Sequence, residues 1–253
     1  MIKVRFLGTG TSQGVPIIGS DHPVCKSSNS KDKRLRSSIL VIWDNSNFVI
    51  DCGPDFRIQM LESGCKKLDA IIYTHEHSDH VAGLDDIRPF FFKQGKIPIY
   101  AHSRVLGELK KRFYYIFDKN YSYPGSPKVL ENIVTSKFKI NDKKIIPINA
   151  MHKDLQVYGY RFDNFAYLTD VKTIDNKEIE KLSGTDVLVI NALRIEEHYS
   201  HFNLDQALEF ISTVSPKKAY LTHISHMLGF HDEVEKILPD NVYLAYDGLE
   251  ITI

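Results

Sequence analysis

Short apolar runs separated by polar turns recur along the whole chain and predict β-strands. Val157–Phe162 alternates apolar residues with Gly, Tyr and Arg, as a strand with one exposed face does. Val187–Ile190 is apolar throughout, which is typical of a strand covered on both faces. The predicted strands are Ile2–Leu7, Ser38–Trp43, Phe48–Ile50, Ala70–Tyr73, Ile97–Tyr100, Ile145–Ile148, Val157–Phe162, Ala166–Leu168, Val187–Ile190, Ala219–Leu221, Val242–Leu244 and Leu249–Ile253.

Helical patterns lie between these strands, and their ends carry recognisable start and stop residues. Pro54 opens one helix and Gly64 follows its end, Ser103 is a predicted cap, and Asp175-x-x-Glu is close to a capping box. Strands interspersed with helices over the whole length predict a layered α/β protein. The predicted helices are Pro54–Glu62, Ser103–Phe117, Asp175–Leu182, Leu204–Val214 and His231–Leu238.

The least regular stretch is the Tyr-rich segment 114–128, which contains Tyr123-Pro124-Gly125-Ser126-Pro127. We predict a long loop here, since loops of this length often serve as lids or binding segments. The alternative is a surface excursion that packs on the fold without a binding role.

The composition places the chain among ordinary globular proteins. It has 253 residues, 43% of them hydrophobic and 25% charged, and we predict a single domain over residues 1–253. Lys plus Arg and Asp plus Glu number 32 each, so the formal net charge is zero. A general nucleic-acid binder needs a basic surface, so we expect no stable nucleic-acid partner, whereas a small phosphorylated substrate stays open.

The cysteines and the apolar runs bear on the compartment. Three irregularly spaced cysteines imply no disulfide framework and favour a reducing environment. The N-terminal sequence lacks a signal-peptide core, and no run approaches the ~18 apolar residues of a membrane span. We therefore expect a cytoplasmic protein without a membrane partner. The sequence leaves the oligomeric state open between a monomer and a homodimer.

The strongest chemical signal is a histidine cluster directly after the strand Ala70–Tyr73. In the segment Thr74-His75-Glu76-His77-Ser78-Asp79-His80, the candidate ligands are three imidazoles and one carboxylate within six residues, namely His75, His77, Asp79 and His80. Imidazole nitrogen and carboxylate oxygen are the ligands that borderline divalent ions such as Zn²⁺ prefer. His75 and His77 can face one ion, and Asp79 and His80 a second one nearby.

Three more ligand-type residues stand just past other predicted strands. His152 follows Ile145–Ile148 after a short bridge, Asp170 follows Ala166–Leu168, and His223 follows Ala219–Leu221. In layered α/β proteins, sites gather where strands end and loops begin. These positions extend the predicted metal site to seven residues.

The motif His-x-His-x-Asp-His resembles that of the metallo-β-lactamase superfamily of dinuclear hydrolases. Further segments resemble one branch, which contains the phosphoribosyl cyclic phosphodiesterase of phosphonate degradation, and the resemblance covers nearly the entire chain. These segments are Phe6–Pro16, Asp51–Arg57, Gly83–Phe90, Tyr167–Val171, Thr222–His226 and Ala245–Gly248.

The resemblance implies a four-layer αββα sandwich with two metal ions at one edge of its sheets. It implies that His75, His77 and His152 hold the first ion, that Asp79, His80 and His223 hold the second, and that Asp170 bridges them. Two such ions can share a hydroxide and clamp a phosphodiester, so the expected activity is hydrolysis of a small phosphodiester, a cyclic ribosyl ester among the candidates. The same ligands accept Zn²⁺, Mn²⁺ or Fe.

The resemblance also implies roles for residues around the two ions. His201 matches the family's proton donor to the leaving oxygen, and Asp79 has a second role in orienting the hydroxide. Asp55 is expected to hold a ligand histidine in one tautomer. The Gly-rich turn Gly8–Gly14 offers backbone N–H groups to a phosphate or, alternatively, packs beside the metal edge.

The resemblance also extends, in part, to a third, structural zinc ion. The branch binds it with Cys-x-Cys-x-x-Cys and a distant His, and the matching positions here are Ser20, His22, Cys25 and His226. Only Cys25 and His226 keep the residue type, His22 is still a zinc ligand by chemistry, and Ser20 is a poor one. Structural zinc normally has four ligands, so the site is either completed by Asp21 or water, or lost.

Three other functions compete with this interpretation. A tRNA 3′-processing nuclease shares the metal motif, but only 17 residues separate His152 from Asp170, too few for the protruding arm of those enzymes. A thioester hydrolase of the same superfamily is the second alternative. The third is a metal-binding module without activity, which a turnover assay distinguishes.

Overall fold

The computed structural model describes residues 1–118 and 123–253 and contains two seven-stranded sheets. Each sheet is antiparallel on one side and parallel on the other. The first sheet has the order β14-β1-β2-β3-β4-β5-β6, and the second has the order β13-β12-β11-β10-β9-β8-β7. The strands are β1 (Ile2–Gly8), β2 (Ser38–Trp43), β3 (Ser46–Ile50), β4 (Ala70–Ile72), β5 (Ile97–Ala101), β6 (Val129–Ile133), β7 (Phe138–Ile140), β8 (Lys143–His152), β9 (Leu155–Phe162), β10 (Phe165–Tyr167), β11 (Val187–Asn191), β12 (Lys218–Thr222), β13 (Val242–Leu244) and β14 (Glu250–Thr252).

Helices cover the outer face of each sheet. Next to them lie several tight 3₁₀ turns, among them Glu180–Leu182 and Glu235–Ile237. The α-helices of the described residues are α1 (Phe56–Ser63), α2 (Ser78–Val81), α3 (Arg88–Gln94), α4 (Ser103–Arg112), α5 (Tyr114–Phe117), α6 (Asn176–Ile179), α7 (Leu204–Val214) and α8 (His231–Val234).

Three apolar clusters show why these elements form four layers. Residues such as Phe48 and Phe162 pack between the two sheets. Phe56 of α1 and Leu109 of α4 bury their side chains on the outer face of the first sheet. Phe210 of α7 does the same on the second sheet. Burial of apolar surface on both faces of each sheet favours this arrangement, and the predicted αββα sandwich is confirmed.

The predicted and observed elements differ where the apolar pattern is weak. The sequence reasoning missed β6, β7, α2 and α3. The predicted helix Ser103–Phe117 is broken at Phe113, and the imidazole of His102, not Ser103, caps its start by accepting from the Arg104 N–H. The Asp175 side chain makes no capping hydrogen bond, and the Glu178 side chain accepts from the backbone N–H of Asn149.

The predicted loop 114–128 is partly helical. Its first residues form α5, and residues 119–122 lie outside the described part of the chain. The hydroxyl of Tyr115 donates to Asp85, and Ser126 donates to the carbonyl of Tyr115, so the described ends of this segment pack on the fold. Across the described ranges, no helix combines the length and apolar character that crossing a bilayer requires.

Candidate metal centre

The seven predicted ligands meet at one edge of the sandwich because the strands that precede them end there. The segment His75–His80 follows β4, His152 closes β8, Asp170 follows β10 and His223 follows β12. Asp170 and His223 have φ angles of +60° and +55°, in the left-handed region that non-glycine residues rarely adopt. Such backbone conformations concentrate at functional sites, where the surrounding structure holds them.

The ligand-type side chains approach one another closely. Each of three groups brings one nitrogen or oxygen atom per residue within 4.8 Å of the others, and Asp170 and His80 each belong to two of the groups. His77 lies beside His75, with Nδ1 of His77 3.0 Å from Nε2 of His75. The ring centroid of His77 is 5.2 Å from that of His152. The groups are His75, His80 and Asp170; Asp79, His80 and His223; and His152, Asp170 and His201.

A buried carboxylate behind the site orients two of the histidines. Asp51 accepts from the Nδ1–H of His80 at 2.7 Å and from the Thr74 hydroxyl at 2.7 Å. Because the Thr74 hydroxyl donates its hydrogen bond to Asp51, its oxygen accepts from the Nδ1–H of His75 at 3.0 Å. Both rings are therefore held by their Nδ1 side, with Nε2 facing the centre, the orientation that metal ligation requires.

His152 is oriented in the same way from the other sheet. Its Nδ1–H donates to the backbone carbonyl of Ser200 at 2.8 Å, which leaves Nε2 as the free acceptor. Metal-bound histidines almost always donate their second ring N–H to a carboxylate or carbonyl. Three predicted ligands thus have this hydrogen-bond arrangement.

The charges of the site favour a cation. Burial lowers the pKa of His75 well below its usual value and also lowers the pKa of His223, so both rings are neutral at pH 7. Burial would raise the pKa of Asp79 and Asp170, but the neighbouring histidines outweigh it and keep both carboxyls ionised. Neutral imidazoles and ionised carboxylates are the protonation states that bind metal.

His80 shows most directly that the arrangement fits a metal ion. Its Nε2 is fully buried, 3.0 Å from Asp79 Oδ2 and 3.2 Å from Asp170 Oδ2, yet it makes no well-aligned hydrogen bond. Burial alone would lower its pKa, but Asp79, Asp170 and Asp51 together raise it well above the usual range. A proton therefore occupies, between the two carboxylates, the position where a divalent cation would sit with greater charge.

His201 lies inside the same cluster. Its side chain is buried, with ring centroids 4.4 Å from His152 and 4.9 Å from His223, and its Nδ1 is 3.7 Å from Asp170 Oδ1. Burial lowers its pKa to about 2, so the free protein holds a neutral ring. Proton donation by His201 therefore requires that the negative charge of a bound phosphate raise this pKa.

The expected role of Asp55 is wrong. Its Oδ2 accepts from the backbone N–H of Arg36 at 2.8 Å and its carboxylate pairs with the Arg36 guanidinium, away from every ligand histidine. Asp51 makes the contact that was expected of Asp55. It follows β3 as the ligands follow their own strands, and that shared position is the signal that could have identified it.

Three N–H groups of the Gly-rich turn are used in packing on the site's flank. The N–H groups of Gly10, Thr11 and Gly14 donate to the carbonyls of Leu35, Ile224 and Thr11. The N–H of Ile224, next to the predicted ligand His223, donates in turn to the carbonyl of Thr9. These bonds favour the packing alternative, because these three N–H groups are not free to donate a hydrogen bond to a phosphate.

The residues expected to bind a structural zinc are only partly assembled. The rings of His22 and His226 are 4.7 Å apart, and Nδ1 of His226 is buried without a hydrogen bond. Cys25 is a free, buried thiol that packs with Val15 and Val24. None of the three close ligand groups within the described ranges includes these residues, and the third ion stays a prediction.

The fold agrees with comparisons to known proteins. A sequence model of the beta-lactamase superfamily domain matches residues 46–224. A crystal structure described as a new diphosphatase from the PhnP family superposes with a TM-score of 0.93 and 40% identity, covering 100% of this chain and 98% of that one. The chain belongs to the PhnP family of the beta-lactamase superfamily.

Two curated relatives extend the comparison. The octanoyltransferase of Porphyromonas gingivalis is 42% identical over 256 residues, which cover 100% of this chain and 52% of that protein. The ribonuclease Z of Enterococcus faecalis is 25% identical over 193 residues, or 74% of this chain and 54% of that enzyme. This PhnP-family chain thus spans about half the length of both relatives. It has the fold of the metal-dependent hydrolases of its superfamily.

Proposed function

We propose that the chain hydrolyses a small phosphate that carries two substituents, either a phosphodiester or a diphosphate diester, with two divalent metal ions. The observation that supports this most is the meeting of the predicted ligands at one sheet edge. Six of the seven belong to three close groups, Asp170 belongs to two of these groups, and His77 lies beside His75 and His152. The PhnP-family structure described as a diphosphatase favours the same chemistry. The proposed ligands are His75, His77, Asp79, His80, His152, Asp170 and His223.

Each ion would have its own set of ligands, as the family pattern suggests. His75, His77 and His152 would hold one ion, Asp79, His80 and His223 the other, and Asp170 both. When bound, such ions neutralise phosphate charge and make water a stronger nucleophile near neutral pH. The same ligands accept Zn²⁺, Mn²⁺ or Fe, so reconstitution with each metal is needed to learn which of them supports activity.

The protein side chains supply orientation and proton movement. Asp79, ionised and mostly buried, can accept a hydrogen bond from the attacking water and align it with phosphorus. His201 lies next to His152 and His223 and would return a proton to the leaving oxygen once phosphate binding has raised its pKa. Asp51 and the Ser200 carbonyl keep the ligand rings in the required orientation.

An acyl thioester is the second candidate substrate, because the Porphyromonas gingivalis relative is named an octanoyltransferase. That relative is nearly twice as long as the matched segment, so its name does not say which part carries the acyl chemistry. The ribonuclease Z similarity is weaker at 25% identity, and the zero net charge of this chain does not favour a tRNA substrate.

A substrate panel distinguishes these functions. Protein reconstituted separately with Zn²⁺ and Mn²⁺ is assayed on bis-p-nitrophenyl phosphate, P1,P2-dithymidine diphosphate, p-nitrophenyl phosphate and an S-octanoyl thioester. We expect turnover of the first two, little on the monoester and none on the thioester, with all activity lost on chelation. Turnover of the thioester alone, or of no substrate with either metal, contradicts the proposal.

A further inference from the structure

A series of aromatic rings leads from the candidate centre to the protein surface. The ring of His223 lies 4.9 Å from His201, which lies 5.2 Å from His198, which lies 4.5 Å from Tyr199. The first two rings are buried, whereas Tyr199 is 70% exposed. An exposed aromatic ring that continues a stack out of a catalytic site is a surface on which a planar group of a ligand can lie.

The segment that carries Tyr199 is held in place by the centre itself. The carbonyl of Ser200 accepts from the Nδ1–H of His152 at 2.8 Å, and the backbone N–H of Ser200 donates to the His198 ring at 3.3 Å. Tyr199 lies between these two anchored residues. Its position relative to the metal ligands is therefore fixed by short contacts even though its side chain is exposed.

A lysine stands beside this tyrosine and next in sequence to a proposed ligand. Lys153 follows His152, has a φ of +55°, and places its ammonium over the Tyr199 ring, 5.4 Å from the ring centre. Its ion-pair partner is the exposed Asp154 at 3.8 Å, at the limit of a salt bridge. Such exposed pairs contribute little, so an anionic group can displace Asp154 at small cost.

Other cations near this segment are already engaged. The ammonium of Lys172 contacts Glu197 at 3.2 Å and Gln206 at 3.0 Å. The guanidinium of Arg194 donates to the backbone carbonyls of Glu196 and Glu197. Lys153 is therefore the better-placed cation to meet a second phosphate of a substrate whose first phosphate lies at the metal centre.

We propose that Lys153 and Tyr199 bind the part of the substrate beyond the reacting phosphate, and that the substrate is a diphosphate diester with a planar base. Lys153 contacts the second phosphate, and the base stacks on Tyr199. This inference rests on the proposed function. In the reaction, the oxygen of water forms a bond to one phosphorus and the bridging P–O bond breaks. The second phosphate leaves with the electron pair, and the proton from water goes to the leaving oxygen or to solvent.

Three esters test the tyrosine. P1,P2-dithymidine diphosphate carries a planar base beyond its second phosphate, P1,P2-dimethyl diphosphate has no base there, and thymidine 5′-(p-nitrophenyl) phosphate has a single phosphate. Base–aromatic stacking of ordinary strength predicts that Tyr199→Ala raises KM for dithymidine diphosphate by about 10-fold or more, and much less for dimethyl diphosphate. Tyr199→Phe keeps the ring and should restore the preference. Leu130→Ala on the distant edge strand β6 is the matched control.

A second comparison tests the lysine. P1,P2-dithymidine diphosphate gives two thymidine monophosphates with one water, and chromatography follows their release. Loss of a charged contact to phosphate predicts that Lys153→Ala lowers kcat/KM for this substrate by about 10-fold, with a smaller effect on the single-phosphate thymidine ester. Lys153→Arg should retain most of the activity, and Lys139→Ala on the edge strand β7 is the control for charge.

The outcomes distinguish an error in the roles of Lys153 and Tyr199 from an error in the proposed function. If the wild-type protein hydrolyses the esters but both variants affect all substrates equally, the assignment of Lys153 and Tyr199 is wrong and the proposed function stands. If the metal-loaded wild-type protein hydrolyses none of these phosphate diesters, the proposed function fails and the substrate assignment fails with it.

Discussion

At the scale of single residues, the centre depends on which atom of each side chain is left free. Asp51, Thr74 and the Ser200 carbonyl each use one side of a histidine ring and leave the other side for a metal ion. Sequence spacing predicted the histidines because they follow strands. The same position directly after a strand favours Asp51 over Asp55, but only the fold shows which carboxylate reaches His80.

His201 is the residue whose role is most open to test. If it protonates the leaving oxygen, His201→Ala should leave the metal content unchanged and lower kcat by about 10²–10⁴-fold on an alkyl ester. The loss should be much smaller on bis-p-nitrophenyl phosphate, because p-nitrophenolate leaves without a proton. Steady-state kinetics on both esters, with a metal count, measure this.

Two other results would reject proton donation by His201. Equal losses on the two esters would indicate that the ring positions the substrate. Loss of metal from the variant would instead make His201 a ligand, as its proximity to His152 and Asp170 allows.

At the scale of elements, the loop between β4 and α2 is anchored to the second sheet. Glu76, inside the histidine motif, pairs with the Arg104 guanidinium at 2.7 Å, and the same group of α4 donates to the carbonyl of Gln156 on β9. Glu76 is largely buried, so the pair is better shielded from water than a surface salt bridge. Arg104 therefore positions the segment His75–His80, which carries four proposed ligands, without contacting the centre.

Removal of this anchor should weaken metal binding. Supporting contacts of this kind typically contribute 10- to 100-fold, so Arg104→Met is expected to lower metal affinity or kcat by about that factor. Chelator competition measures the affinity, and Arg104→Lys should recover part of it. Lys110→Met, on the same helix but paired with Glu131, is the control. An unchanged metal affinity and kcat in Arg104→Met would show that the pair does not hold the loop.

The observed strands and helices also show where the apolar pattern does not predict secondary structure. Most strands and the helix Leu204–Val214, with its Asn203–Gln206 capping box, could be predicted because apolar spacing and end signals agree. β6 could not, because its residues are mostly exposed and polar positions do not alternate with apolar ones. The break at Phe113, where φ is −121° and ψ is +41°, has no Gly or Pro to announce it.

At the scale of the whole molecule, the centre joins the two sheets. His75, His77, Asp79 and His80 come from the first sheet, whereas His152, Asp170 and His223 come from the second. A metal ion bound by both would link the halves of the sandwich and stabilise the folded state over the unfolded chain. The resemblance in the sequence implied this meeting of distant segments, which periodicity alone could not.

The central claim is that these seven residues bind two metal ions through a shared Asp170. Elemental analysis of metal-replete protein tests it most directly, with Asp170→Ala beside wild type and Asp142→Ala, an exposed carboxylate, as the control. We expect two ions per chain in the wild type and the control, and disruption of both in Asp170→Ala. Less than one ion per wild-type chain would contradict the account, and loss of only one ion in Asp170→Ala would reject the bridging role.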